Sequence, residues 1–186
     1  MAGHGLAKLQ NEPLLRVRPV WGTSVGAADP EYDWLFADEF PAVMRTVYLM
    51  VHDVDRAEDL TQDAFVQLLK HWKKVSRYDR PGAWVRRVAI RLAMDALRRE
   101  RLRAILERKV DRPPVPGPAD IDLLRAIRSL SRMQRAAVVL RYFEDMELGE
   151  MAEAMRCSQA TARVHLHRAR KRLAELLGEE VTEDVP

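Results

Sequence analysis

Apolar residues along this 186-residue chain recur three and four positions apart, and no strand-length run alternates apolar with polar residues. That period predicts an all-α protein. In DVDRAEDLTQDAFVQLLKHW, residues 53–72, Ala57, Leu60, Ala64, Leu68 and Trp72 fall on one stripe. Asp59, Gln62 and Asp63 fall mostly on the exposed side of the same helix. Asp55 stands three residues before Glu58, the spacing at which each side chain caps a free backbone N–H, and it marks a predicted helix start. An earlier helix is predicted over roughly Tyr32 to His52, bending or restarting at Pro41. The next opens near Pro81, a residue suited to the first helical turn. Trp84, Val88, Leu92 and Ala96 are its inward positions, with Arg86, Arg87, Arg91 and Arg98 around the rest. Trp34, Trp72 and Trp84 are read as core residues, and Tyr78, in a polar loop between the last two, as a stacking residue.

The stretch DRPPVPGPAD, Asp111 to Asp120, holds four prolines and a glycine. Such a stretch cannot continue a helix and favours an extended spacer. Four helices are predicted beyond it. The first runs from Ile121 to Leu130. Ser131 and Gln134 form a capping box for the second, which reaches about Tyr142. Leu148, Met151, Ala152 and Met155 mark a short third. Ser158 caps the fourth, whose stripe is Ala162, Leu166, Ala169, Leu173 and Leu176. The expected organisation is two small helical domains joined by a Pro-rich linker. Residues 1–30 form a loose tail, 31–104 the first domain, 105–119 the linker, 120–178 the second domain and 179–186 an acidic tail. Few contacts are expected to cross such a linker.

Charge changes the picture through its distribution. The net charge is only +3, yet Asp29 to Asp63 holds ten acids against two cations, and Arg77 to Arg112 twelve cations against five acids. Sorting of this kind points to two partner surfaces of opposite sign. Arg156 to Leu173 carries six cations and no acid. Cys157 is the single cysteine, which excludes an intramolecular disulfide or a multi-cysteine metal site and suits a reducing cytoplasm. No apolar run approaches the ~18 residues of a membrane span, and the first residues lack the apolar stretch of a signal peptide.

A short helix, a turn of about three residues and a longer basic helix form the helix-turn-helix pattern. Its second helix enters the DNA major groove, first turns at the base edges and surrounding cations at phosphates. With residues 162, 166, 169 and 173 inward, Gln159, Arg163 and His167 face outward near the helix start, and Arg168, Arg170, Lys171 and Arg172 spread over the flanks. A membrane-surface helix would place large apolar residues opposite the charge; this stripe contains alanines. DNA is the better partner, with a solvated helix face as the plain alternative.

Taken together, the two halves resemble the extracytoplasmic-function (ECF) group of bacterial RNA polymerase sigma factors. AEDLTQDAF is similar to the signature of sigma region 2, which implies that Asp59, Gln62 and Asp63 bind core RNA polymerase. AWVRRVAIRLAMDALRRERLR resembles the helix that binds and opens the −10 promoter element. On that reading Arg77, Tyr78, Arg80, Arg87, Arg91 and Arg98 are its DNA-binding residues. LSRMQRAAVVLRYFEDMELGEMAEAMRCSQATARVHLHRARKRL resembles region 4, the reader of the −35 element. Ser158, Gln159, Thr161, Arg163, His167, Arg168, Arg170 and Lys171 are then the −35 contacts. The chain departs from the pattern at Arg91, where Asn is usual, and at Arg156, where the turn usually has Gly. Two further departures are Ala162 for Val and His165 for a cation. The resemblance implies a cytoplasmic initiation factor that catalyses no reaction, needs no cofactor, and partners core polymerase, promoter DNA and an anti-sigma factor.

Two other readings stand beside it. A helix-turn-helix regulator with an N-terminal helical interaction domain would bind its operator without polymerase, and a helical adaptor would not bind DNA at all. Asp53, Asp55, Glu58, Asp59 and Asp63 suggest a carboxylate metal site, but capping explains two of them and two point outward. His165 and His167 lie two apart on a helix and point to different sides, which is poor ligand geometry. No metal is expected. Asp95 is expected to pair with Arg98 or Arg99 on its own helix.

Overall fold

The computed structural model describes residues 29–106 and 122–177, which form seven helices. These are α1 (Pro30–Val51), α2 (Val54–Val75), α3 (Pro81–Leu106), α4 (Asp122–Ser129), α5 (Arg132–Tyr142), α6 (Leu148–Met155) and α7 (Gln159–Leu177). No strand occurs among the described residues. The Pro-rich stretch from Asp111 to Asp120, most of the N-terminal tail and the acidic tail lie outside them.

Helices α1, α2 and α3 close on one another around Phe65, Met44, Met50, Leu68 and Met94, all fully buried. The expected stripe on α2 is buried along its whole length, Ala57 to Trp72. The Tyr32 hydroxyl donates to the Phe65 carbonyl at 3.0 Å and Trp72 Nε1 donates to Asp29 Oδ2 at 2.7 Å, pinning the start of α1 to α2. Burial, helped by Asp33, pushes the Tyr32 phenol up to about 12, so it stays a donor. Gly82 is buried at the start of α3, where a β-carbon would run into the Glu39 carboxylate, which pairs with Arg86 at 2.7 Å.

Three expectations need correction. Helix α1 does not restart at Pro41 but continues through it, at an exposed position where water can take the carbonyl that the proline leaves without a donor. The cap of α2 is Asp53, whose side chain accepts from the Arg56 N–H at 3.0 Å; Asp55 lies inside the first turn and Glu58 accepts instead from Gln62 Nε2. Trp34 is not core: it is 69% exposed, on the side of α1 away from the Tyr32, Leu35 and Phe40 stripe.

In the second segment the Ser131 N–H donates to Gln134 Oε1, and the Thr161 N–H to Ser158 Oγ, as the capping pattern predicts. Ala162 and Ala169 are buried and Leu166 and Leu173 half-buried on α7, while Leu176 is exposed near its end. Helix α5 is buried at every position from Arg135 to Leu140. A helix apolar all round needs cover on both sides. Val138 packs with Leu130 and Ala169 toward α7, while Ala136, Ala137, Val139 and Leu140 join the core of the first segment. Met151, Ala152 and Met155 of α6 belong to that same continuous cluster. The two domains are therefore packed on each other, against the expectation that few contacts cross between them.

Candidate polymerase and nucleic-acid interfaces

Helix α2 turns its stripe inward, so its opposite side is presented to solvent. Asp59 and Asp63 are exposed there and Gln62 is half-buried, held by Glu58 at 3.1 Å. The same face continues one and two turns on through Val66 and Leu69, 47% and 56% exposed. Three- and four-residue spacing places all five along one strip. Reading the stripe for burial alone missed the two apolar members, although their spacing from Gln62 and Asp63 was the available signal.

The basic helix α3 is approached by the loop that carries Arg77, Tyr78 and Arg80, all exposed. Arg87 and Arg91 are also exposed, on the outer side of α3. Arg98 differs from these. It is half-buried, bonded to Asp95 Oδ1 at 2.7 Å and to the Ala154 carbonyl of α6 at 3.2 Å, so it stands apart from the other five. The expected Asp95–Arg98 pair is present, and Asp95 also takes Arg156 at 3.3 Å. Trp84 is half-buried with its ring 5.7 Å from His71, a packing role and not an open platform.

Helices α6 and α7 meet at a turn whose first residue, Arg156, has φ 48. This left-handed conformation is the one Gly adopts without strain. The turn holds α7 so that Ser158, Gln159, Thr161, Arg163, His167, Arg168, Arg170 and Lys171 are all exposed. His165 is half-buried on another side, and burial with nearby Arg101 and Arg168 keeps its imidazole below its usual range. Arg168, Lys171 and Arg172 line an open cleft of about 340 Å³, with Ser131, Gln134 and Glu175 on its walls. Cations around an open cleft suit a phosphate backbone, whereas Gln159, Arg163 and His167, nearer the helix start, suit base edges. Cys157 is half-buried, and burial pushes its thiol up. Among the described residues no three His, Cys, Asp or Glu side chains gather to hold a metal, and no helix is long and apolar enough to cross a membrane.

Known proteins match both halves. Residues 35–103 match the family described as Sigma-70 region 2, and residues 120–173 match Sigma-70, region 4. The RNA polymerase sigma factor CarQ of Myxococcus xanthus is 33% identical over 83% of this chain and 92% of its own length. The ECF RNA polymerase sigma factor SigE of Mycolicibacterium smegmatis is 32% identical over 84% of this chain, a match that takes in 65% of that relative. A solved structure of the sigma factor RpoE with the anti-sigma factor NepR, from Bartonella quintana, is 25% identical with a TM-score of 0.56, covering 82% of this chain and 100% of that one. Two helical domains in this order, an acidic face on the first and a basic helix-turn-helix in the second, with relatives of this identity, make the chain a member of the RNA polymerase sigma factors, in their extracytoplasmic-function group.

Proposed function

We propose that this sigma factor docks on core RNA polymerase through Asp59, Gln62 and Asp63, with Val66 and Leu69 extending the contact, and reads a two-element promoter with its two basic surfaces. As a member of its family it directs core polymerase to specific promoters and starts transcription there. The −10 strand is held by Arg77, Tyr78, Arg80, Arg87 and Arg91, with Arg98 joining once it leaves Asp95. Taking a base out of the duplex costs a few kcal/mol, and contacts to the extruded strand must offset that. A cationic groove with a stacking aromatic is the usual means, and Tyr78, 40% exposed among arginines, supplies the ring. The −35 duplex is read by Gln159, Arg163 and His167 at base edges, with Arg168, Arg170 and Lys171 on phosphate and Ser158 and Thr161 at the helix start.

The observation that carries the reading is the exposure of every one of the eight α7 positions while its alanine stripe is buried. The protein acts in the cytoplasm, needs no cofactor or metal and itself catalyses no reaction. The likeness to a sigma factor captured with its anti-sigma factor supports a protein inhibitor for this chain too. Reconstitution with core polymerase and sequencing of transcript starts tests the function: starts should cluster at a fixed distance from a shared pair of elements. Tight operator binding without polymerase, and no directed starts with it, would identify a regulator instead.

A further inference from the structure

The last turns of α3 carry a cluster of arginines at the seam between the two domains, and neither the polymerase nor the promoter surface uses it. Ala96, Arg99, Glu100 and Arg103 stand three and four residues apart, so they share one side of the helix. Arg56 of α2 reaches across to that side. Its Nη1 pairs with Glu100, and its Nη2 donates to the Ala96 carbonyl at 3.4 Å. From the second domain Arg132, the first residue of α5, brings its Nε to the other Glu100 oxygen at 3.1 Å. One carboxylate thus serves two guanidinium groups from two other helices. Arg99 and Arg103 are exposed beside it, and no ion pair among the described residues involves either. Burial holds the Arg56 guanidinium below its usual range; Asp53 counters this, and Arg99, Arg103 and Arg132 add to it. Four arginines therefore meet two acids, Glu100 and Asp53. The cluster is short of negative charge.

We propose that Arg56, Arg99, Arg103 and Arg132 form a binding site for a small polyphosphorylated anion, recognised by its phosphate chain. The site is independent of the promoter reading above. A guanidinium presents its donors in a planar fork that matches phosphate oxygens two at a time. Forks from α2, α3 and α5 converge here, so several phosphate oxygens are met at once. A single phosphate would occupy two of the forks and leave the charge of the other two unmet, whereas a chain of linked phosphates answers all four. The side chains of Arg56 and Arg132 are only 31% and 30% exposed, in the angle where the three helices meet. A narrow chain can follow into that angle. A duplex is too broad to do so and would touch Arg99 and Arg103 alone. Partly buried charges are screened little by salt, so the deficit persists at physiological ionic strength. The cluster has no aromatic member to hold a base, which leaves the phosphates as the recognised part.

The test uses the full chain and sodium tripolyphosphate, titrated calorimetrically at fixed ionic strength without divalent cations. One tripolyphosphate should bind per chain. Arg99→Gln with Arg103→Gln should weaken it at least about tenfold, because bonds from charged donors to phosphate are the strong kind. Both positions are exposed, so helix content and the melting temperature without ligand should not change. Lys73→Gln with Lys74→Gln removes the same charge from exposed positions at the far end of α2. At that distance salt screens the effect, and the affinity should stay within about twofold. Tripolyphosphate should also raise the melting temperature of the wild type, and much less that of the arginine variant, because it binds the folded chain. Equal losses in the two double variants would mean that the ligand reads overall charge, and an unchanged affinity in the arginine variant would place it elsewhere; either result overturns the site. A scrambled −35 duplex is the second arm. The arginine variant should bind it nearly as the wild type does, and a loss as large as that for tripolyphosphate would give Arg99 and Arg103 to a DNA backbone and overturn the proposal.

Discussion

Arg135 Nε donates to the Met50 carbonyl at 3.0 Å, a charged group from α5 satisfying the end of α1. The arginine is 4% exposed and its Nη1 also reaches the Arg128 carbonyl at 3.4 Å. Hydrogen bonds from charged donors contribute roughly 1.5–3 kcal/mol, and the carbonyl left behind would be buried without its donor. Arg135→Ala should therefore lower the unfolding free energy by about 2–3 kcal/mol in a urea titration. Arg135→Lys should recover less than half, because a compact ammonium cannot serve both carbonyls from one planar fork. An unchanged urea midpoint for Arg135→Ala would show that the seam does not depend on this contact.

His52 sits at the end of α1 in a left-handed conformation, φ 64. Burial first, then Arg128 and Arg135, holds its imidazole down to about 4. The unfolded chain takes up that proton near 6.5. Between those values the unfolded state binds more protons, so this residue's effect on stability is absent above about pH 6.5 and destabilising as pH falls toward 4. His52→Asn tolerates the same backbone and cannot titrate. Unfolding measured from pH 7.5 to 4.5 should show the wild type losing more stability than the variant, the carboxylates titrating equally in both. Parallel curves would place the imidazole in contact with solvent.

The acidic strip on α2 lies opposite its buried stripe, so charge reversal there should leave the fold alone. Asp59→Lys with Asp63→Lys should weaken core polymerase binding sharply, chiefly through a slower association that depends less on salt. Helix content and melting temperature should not move. Val66→Ser with Leu69→Ser should instead speed dissociation. Wild-type affinity in both double variants would remove α2 from the interface.

What the sequence made legible was local. The α2 stripe, the start of α3 at Pro81 and the Ser158 cap each depend on residues within a few turns, and all are present. Asp53 was passed over for Asp55 because two acids two residues apart both fit a capping pattern, and only the chain's entry into the helix separates them. Trp34 is exposed because a helix with Tyr32, Leu35 and Phe40 on one side already has its stripe. The packing of the domains on each other was the largest omission. A stripe says which side faces in, not against what. The signal was the run Arg135 to Leu140, too apolar for a helix with one wet side; the arginine in front of it disguised a residue that folding buries. Of the residues proposed to face DNA, exposure follows period on α7, whereas Arg98 departs because one of its partners, the Ala154 carbonyl, lies 56 positions along the chain.

The cations of α7 divide by their distance from the helix start. Arg163 lies in the first turns, exposed and away from Leu166 and Leu173, where a side chain reaches base edges. Arginine to guanine is the commonest specific contact, and one good pair gives ~1–3 kcal/mol of discrimination. Lys171 lies two turns on, at the cleft shared with Arg168 and Arg172, where the backbone should pass. Arg163→Ala should accordingly relax the −35 preference by about 1–3 kcal/mol while weakening scrambled DNA little. Lys171→Ala should weaken matched and scrambled duplexes alike and lower the salt slope by about one unit. Because the exposed face of α7 is open even with the domains packed together, the full chain serves for both, titrated on matched and scrambled −35 duplexes across a salt series. Equal, sequence-blind losses would move Arg163 to the phosphates, and no loss in either variant would leave α7 a solvated helix.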